Sequence, residues 1–489
     1  MNKCNYIFAE ITINENDINK TIRIINSFEE VKRKKNWKNK IDDNKKENEK
    51  EIKEKCTIKI NNKEIPFSYF YIFDEKGTYQ IEYIFNGNIS KTCYMFYECS
   101  NLIKIQLSNF NYEYINNMRG MFFKCYNLKE IDFSNFNNKN SIDMSYMFFY
   151  CSSLTNIILP KFFNQSINET TFMFYNCMKL TNINLSKANT QNIKDMSYMF
   201  FGCNSLTNID IFNFNTENTE NMESMFFGCH SLKNIDLYNF NTGNVTNMNS
   251  MFFGCKLLEK IDLSNFNTKN VTNMNSFLYG CSSLKSLDLS NFETKNVTDM
   301  SFMFYGCNSL TSINLNNFNT ENVTNMTSMF DGCNSLININ LSSFNTKNVI
   351  DMRSMFSKCK SLTNLNLSNF NTQKAENISY MFDGCNSLNK INLSSFNTLN
   401  VINMSSLFYG CSSLTNIDLS NFYTPNVMNM SYLFNECNSL ISINLSNFDT
   451  KNVKDINCIF FGCNSLIKKN IKTKDLKLIL LLKTSFGNN

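Results

Sequence analysis

Fifteen cysteines, running from Cys99 to Cys463, recur every 26 residues without a single insertion. A fixed period of that size over most of a chain is the signature of stacked repeats, in which each repeat touches chiefly its neighbours. It overrides the roughly three globular domains that a chain of 489 residues would otherwise suggest.

The repeat from Cys307 to Gly332 shows what one coil is made of. Apolar residues stand at Leu310, Ile313, Leu315 and Phe318. The step from Ile313 to Leu315 has the period that a short strand needs, and Asn316 and Asn317 break it as a turn. The second half, Val323-x-x-Met326-x-x-Met329-Phe330, has a spacing of three, which predicts a tight helical turn with one apolar side. Gly332 stands where the backbone must bend. Strand, corner, short helical segment and corner make one turn of a right-handed coil. Stacking sets each position over its own copy about 4.8 Å away. Leu, Ile, Phe, Val and Met then form interior columns, because no repeat can bury its apolar face alone.

These residues carry a resemblance. Leu310-x-x-Ile313-x-Leu315 resembles the strand segment of leucine-rich repeats. The fuller string Asn-Val-Thr-Asn-Met-Ser-x-Met-Phe-x-Gly-Cys-x-Ser-Leu-Thr-x-Ile-Asp-Leu-Ser-x-Phe is similar to the repeat of the BspA-type leucine-rich repeat surface proteins, over about residues 93–470. The resemblance implies a solenoid with a non-catalytic binding or adhesion role at a cell surface. It brings no catalytic residue and no cofactor, and it does not name the ligand.

The expected fold is an α/β-type repeat: a right-handed, leucine-rich-repeat-like solenoid of about fifteen coils over residues 93–470. A β-rich N-terminal cap domain fills 1–92, with strands at Tyr6–Ile13, Thr21–Asn26, Cys56–Ile60, Phe67–Phe73 and Thr78–Phe85, and a hairpin turn at Asp74–Gly77. A charged helix or loop, 29–55, interrupts it. Its run Lys32-Arg33-Lys34-Lys35 beside Trp37 could touch nucleic acid or acidic lipid, but Asp42, Asp43, Glu47, Glu49 and Glu51 cancel it, as on a solvated helix face. Residues 471–489 are expected to cap the last coil.

Composition narrows the partner. The net charge is only +5, so no bulk field argues for nucleic acid. Proline is nearly absent, as expected where stacked strands need every N–H. Asparagine is abundant, and with Lys and Ile it reads as the mutational imprint of an AT-rich genome. The first fifteen residues, with Lys3, Glu10, Asn14 and Glu15, show no secretory leader. The apolar tail Leu476–Leu482 is too short for a membrane span of about 20 residues, so no transmembrane segment is expected. On these signals a cytoplasmic location is favoured, and a surface location follows only from the resemblance.

The ladder cysteines share one coil position and point the same way, so buried, reduced thiols are expected rather than disulfides. Cys-x-x-Cys is absent, which argues against a zinc site. The one histidine, His230, lies in a variable corner position beside Cys229, and a triad would have to use it; an enzyme is not expected. The best site candidate is the exposed column between the strand's Ile and Leu. There Asp210, Asp236, Asp262 and Asp288 follow one another in successive coils. Like charges so close disfavour joint ionisation and call for neighbouring lysines (Lys233, Lys260, Lys285), protonation or a cation. Two residues on, Phe212 and Tyr238 replace the usual serine, and exposed aromatics make binding anchors. The expectation is a protein or glycoprotein partner on the strand face at Asp210, Phe212, Asp236, Tyr238, Asp262 and Asp288. The alternative is a structural intracellular scaffold with no dedicated ligand.

Overall fold

The computed structural model describes residues 5–35, 46–134, 142–158 and 167–485, and the chain forms two compact units, Met1–Asn244 and Val245–Asn489. The first unit opens with β1 (Tyr6–Ile13), β2 (Thr21–Arg23), α1 (Phe28–Lys34), α2 (Glu49–Lys55), β3 (Cys56–Ile60), β4 (Lys63–Ile65), β5 (Phe70–Ile72), β6 (Gly77–Phe85), β7 (Leu102–Gln106) and β8 (Glu130–Asp132). Alternation in β1 buries Ile7, Ala9, Ile11 and Ile13 on one face. One edge of β1 pairs antiparallel with β6, and the other pairs antiparallel with β7, the strand of the first coil. That contact covers a strand edge that would otherwise offer unpaired N–H and C=O groups. The coils continue from β7 in parallel, to β8 and then to Asn156–Ile158.

Two local expectations change. The hairpin turn lies at Asn61–Asn62, not at Asp74–Gly77. β3 pairs with β4, and both asparagines have positive φ, 46° and 65°, as the favoured two-residue hairpin turn requires. β5 pairs instead with β2. The basic run is neutralised within the protein. Arg33 forks onto Glu49 at 2.8 and 2.9 Å and reaches Glu30 at 3.1 Å, while Lys34 and Lys35 pair with Glu98. The Arg33 guanidinium, with help from Lys53 and Tyr69, lowers the Glu49 carboxyl to about 2. Trp37, Asp42 and Asp43 lie outside the described residues.

In the coil that starts at Cys307, the strand Ser312–Asn314 lies parallel to Ser286–Asp288, each residue beside its own repeat mate. Leu310, Leu315, Phe318, Val323, Met326, Met329 and Phe330 are buried as expected. Phe330 stacks on Phe304 and Phe356 with ring centroids 5.4 and 5.6 Å apart.

The leucine-rich-repeat-like solenoid is as expected, but the second half of this coil is a run of turns rather than a helical segment, and the described α-helices lie outside the coils. The N–H groups of Met326, Ser328, Phe330 and Gly332 point to carbonyls of the following coil, at Asp351, Arg353, Met355 and Ser357. Those of Met329, Asp331 and Cys333 turn back to the third residue before them. A helix would keep every donor for its own turn and leave the neighbouring coil's carbonyls without partners. Alternation serves both, and it keeps the spacing of three that made the segment look helical. It needs two left-handed residues per coil, here Ser328 at φ 52° and Gly332 at φ 77°. At Gly332 an added Cβ would meet the Gly306 backbone at 3.3 Å.

The asparagines also have structural work. Asn314, Asn319 and Asn325 each accept, through Oδ1, the N–H two residues on. These Asx turns make three corners per coil. Asn322 donates its side-chain N–H to Lys295 O at 2.8 Å in the preceding coil, and Asn296 does the same to Lys269 O. The abundance read as a mutational imprint therefore fills geometric positions. Buried Thr320 completes the set, donating to Asn345 O at 2.9 Å and accepting from Asn345 N at 2.8 Å.

The ladder cysteines are buried thiols. Cys125 and Cys203 in the first unit, and Cys307 and Cys333 in the second, donate to the phenylalanine or leucine carbonyl 29 residues earlier, at 3.0 to 3.3 Å. Burial pushes the Cys203 and Cys307 thiols up to about 12. At the end of the second unit, Ile471–Lys472 pairs with Ser442–Asn444. Asp475 then takes the N–H and hydroxyl of Thr450 and the N–H of Leu478 at the start of α3 (Leu476–Ser485).

Candidate binding surface

The strand-side corner divides between the two units. Asp210, Phe212, Asp236 and Tyr238 belong to the first, and Asp262 and Asp288 to the second. In all four coils the aspartate makes the Asx turn. Its Oδ1 accepts from Phe212 N at 3.4 Å, Tyr238 N at 3.0 Å, Ser264 N at 2.9 Å and Ser290 N at 2.9 Å. Asn314 and Asn366 do the same work in their coils. The carboxylates of Asp262 and Asp288 are held below the usual range by the backbone N–H groups of Ser264 and Ser290. The same N–H groups favour the ionised form of these two carboxylates. Lys285 pairs with Glu259 at 3.4 Å rather than with the aspartates. Among the described residues no group of three or more His, Cys, Asp or Glu side chains is placed to hold a metal ion.

Phe212 and Tyr238 are different, because the corner does not need them. In some coils with serine at this position the hydroxyl reinforces the turn, as Ser186 Oγ does to Asn184 Oδ1 at 2.7 Å and Ser446 Oγ to Asn444 Oδ1 at 2.6 Å. Phe and Tyr give up that bond and stand out from the surface, 47% and 68% exposed. Their backbone is fixed: Phe212 O accepts from Asn239 Nδ2 at 2.6 Å, and the neighbouring Asn213 Nδ2 donates to Ser186 O at 2.7 Å. Two large side chains on a pinned corner suit an anchor that loses little freedom on binding. His230 is half-buried in its corner.

One surface was missed in the sequence. In the second unit a position that carries Thr272, Thr298 and Thr324 changes to Ile350, Glu376, Ile402 and Met428. Main-chain bonds step along it: Glu376 N to Ile350 O, Ile402 N to Glu376 O, and Met428 N to Ile402 O, at 2.8 to 2.9 Å. The three apolar side chains are each more than two-fifths exposed. With Lys374, Asn400 and Asn426 they line a groove of about 520 Å³. The signal was the change from threonine, held in the four coils from Thr246 to Thr324, to Ile350, Ile402 and Met428.

A family model described as "Mycoplasma protein of unknown function, DUF285" matches residues 70–181, 155–256, 227–334, 307–391 and 386–488. No protein of curated function matches. Among solved structures, a leucine-rich cell surface protein from Faecalibacterium prausnitzii is similar at 16% identity, covering 80% of this chain and 84% of that one, with a TM-score of 0.28. A leucine-rich repeat protein from Eubacterium ventriosum is 17% identical over 72% of this chain and 81% of its own, TM-score 0.29. An internalin from Listeria monocytogenes is 15% identical over 64% and 85%, TM-score 0.21. Among the described residues no helix is long and apolar enough to cross a membrane.

Proposed function

The chain belongs to the DUF285 family, whose unit here is the BspA-like leucine-rich repeat, and from that premise we propose that it is a non-catalytic binding solenoid whose protein partner docks on the strand-side corner at Phe212 and Tyr238. The observation that carries the reading is the exposure of these two aromatics, in adjacent coils, at a position where the coil is better served by serine. Aromatic side chains on a rigid support are the usual energetic centre of a protein interface. Asp210 and Asp236 lie at the same corners, and their charge selects a basic partner. Asp262 and Asp288 serve their own corners in the second unit.

The test replaces Phe212 and Tyr238 together by serine, and in a separate variant Asp210 and Asp236 by asparagine, which keeps Oδ1 for the turn. Both variants should melt as the parent does. Loss of a captured partner in the aromatic variant, with a weaker and salt-dependent loss in the asparagine variant, supports the reading. Unchanged capture by the aromatic variant overturns it. If capture is instead lost when Ile350, Ile402 and Met428 are returned to threonine, the binding surface is the groove of the second unit.

A further inference from the structure

We infer that the outward face of α3 docks on an anionic lipid bilayer surface. The helix is apolar on two sides. Leu478 and Leu482 are buried, which accounts for the inner side. Leu476 and Leu480, one turn apart and therefore on one stripe, are 82% and 63% exposed. The inner stripe is accounted for by packing, and the outer stripe of Leu476 and Leu480 leaves a contiguous apolar area at the surface among the described residues.

Charge supplies the identity of the occupant. From Lys468 to Leu480 there are five lysines and one carboxylate. Lys469, Lys474 and Lys477 are exposed, while Lys472 shares a groove with Asp418. The single carboxylate, Asp475, is engaged inward by Thr450 and the Leu478 N–H, and Lys477 is tied to Val453 O at 2.8 Å, which fixes a positive charge beside the leucines. Two such faces brought together in a dimer would set the two copies of Lys477 against one another. An anionic bilayer accepts both features at once, leucines into the headgroup and acyl boundary and lysines onto the phosphates. A ten-residue helix is about 15 Å long, half the hydrocarbon thickness of roughly 30 Å, so it lies in the interface and does not cross it. Apolar insertion and a basic patch are the two signals that stable peripheral attachment requires.

The experiment floats the full chain with vesicles of phosphatidylcholine alone and of phosphatidylcholine with phosphatidylserine. Binding is expected only with phosphatidylserine, and it should weaken as salt rises. Replacing Leu476 and Leu480 by serine should lower partitioning by about tenfold or more, and Leu480→Met should retain it. Lys469→Gln and Lys474→Gln should each cost about fivefold. All four residues are exposed, so melting should stay at the parent value. No flotation with phosphatidylserine vesicles, or equal flotation of the leucine variant, overturns the inference. So does a concentration-dependent dimer that the leucine variant abolishes, since a second copy would then be the occupant. These outcomes are independent of Phe212 and Tyr238, so each reading can fail alone.

Discussion

Replacing Thr320 by valine tests whether a hydroxyl, rather than apolar packing, holds the corner between successive coils. Thr320 is fully buried and exchanges two bonds with Asn345, giving its proton to the carbonyl at 2.9 Å and receiving the N–H at 2.8 Å. Valine keeps the shape and the branched Cβ but leaves both backbone groups without a partner. An orphaned buried polar group costs about 1–3 kcal/mol. Asn345 is only half-buried, so water recovers part of that loss, and about 2–4 kcal/mol is expected for the two groups. Thr320→Ser keeps both bonds and loses one methyl, a loss of about 1 kcal/mol. A stacked array need not unfold in one step, so urea unfolding should be paired with native-state hydrogen exchange. The Asn345 amide should exchange much faster in the valine variant and little faster in the serine variant. If serine proves as costly as valine, or if the Asn345 amide is equally protected in all three proteins, the hydroxyl does not hold the corner and the argument fails.

Two further outcomes follow from the described geometry. Thiol labelling of the native protein should reach Cys458, the exposed cysteine among those described, well before the ladder, and denaturation should release close to all 19; ladder thiols that label at the rate of Cys458 would contradict their burial. For Glu49, the folded carboxyl sits at about 2 against an ordinary 4.5, so its stabilisation is complete above about pH 4.5 and is lost as pH falls toward 2. Glu49→Gln should cost about 1 kcal/mol near neutrality for a partly exposed pair and show a shallower acid limb in thermal melting, and an acid limb as steep as the parent's would exclude the Arg33–Glu49 fork as its source.

The columns were legible because the sequence repeats them. Leu310, Phe318, Val323, Met326 and Phe330 could be placed inside from spacing alone, and the structure buries them. The turn half misled for a physical reason. A spacing of three fits a helical turn, and it equally fits a chain that alternates donors between itself and its neighbour. The deciding residue is the left-handed one five before each ladder cysteine, where serine or tyrosine stands more often than glycine, as at Ser328 and Tyr380. Only the partner coil shows why such a residue must turn left. The hairpin at Asn61–Asn62 was readable from its two asparagines. The pairing of β5 with β2 was not, because strand partners distant in sequence leave no local mark.

The Asp column shows where a site should be sought in a protein of this kind. A repeat position that is nearly always Asn or Asp invites a functional reading when four aspartates fall in a row. Yet the corner asks only for an oxygen that accepts the N–H two residues on, and Asn314 and Asp288 answer equally well. Regularity along the coils therefore measures what stacking needs. Binding has to be written where the coil's own requirement is overridden at a cost. Phe212 and Tyr238 give up a serine hydroxyl bond and expose aromatic surface. Ile350, Ile402 and Met428 replace threonine on a polar edge, and Leu476 and Leu480 face outward on a helix whose other side already caps the last coil. Each departure places apolar area at the surface, and that exposure, rather than the regular Asp column, is what the proposed contacts rest on.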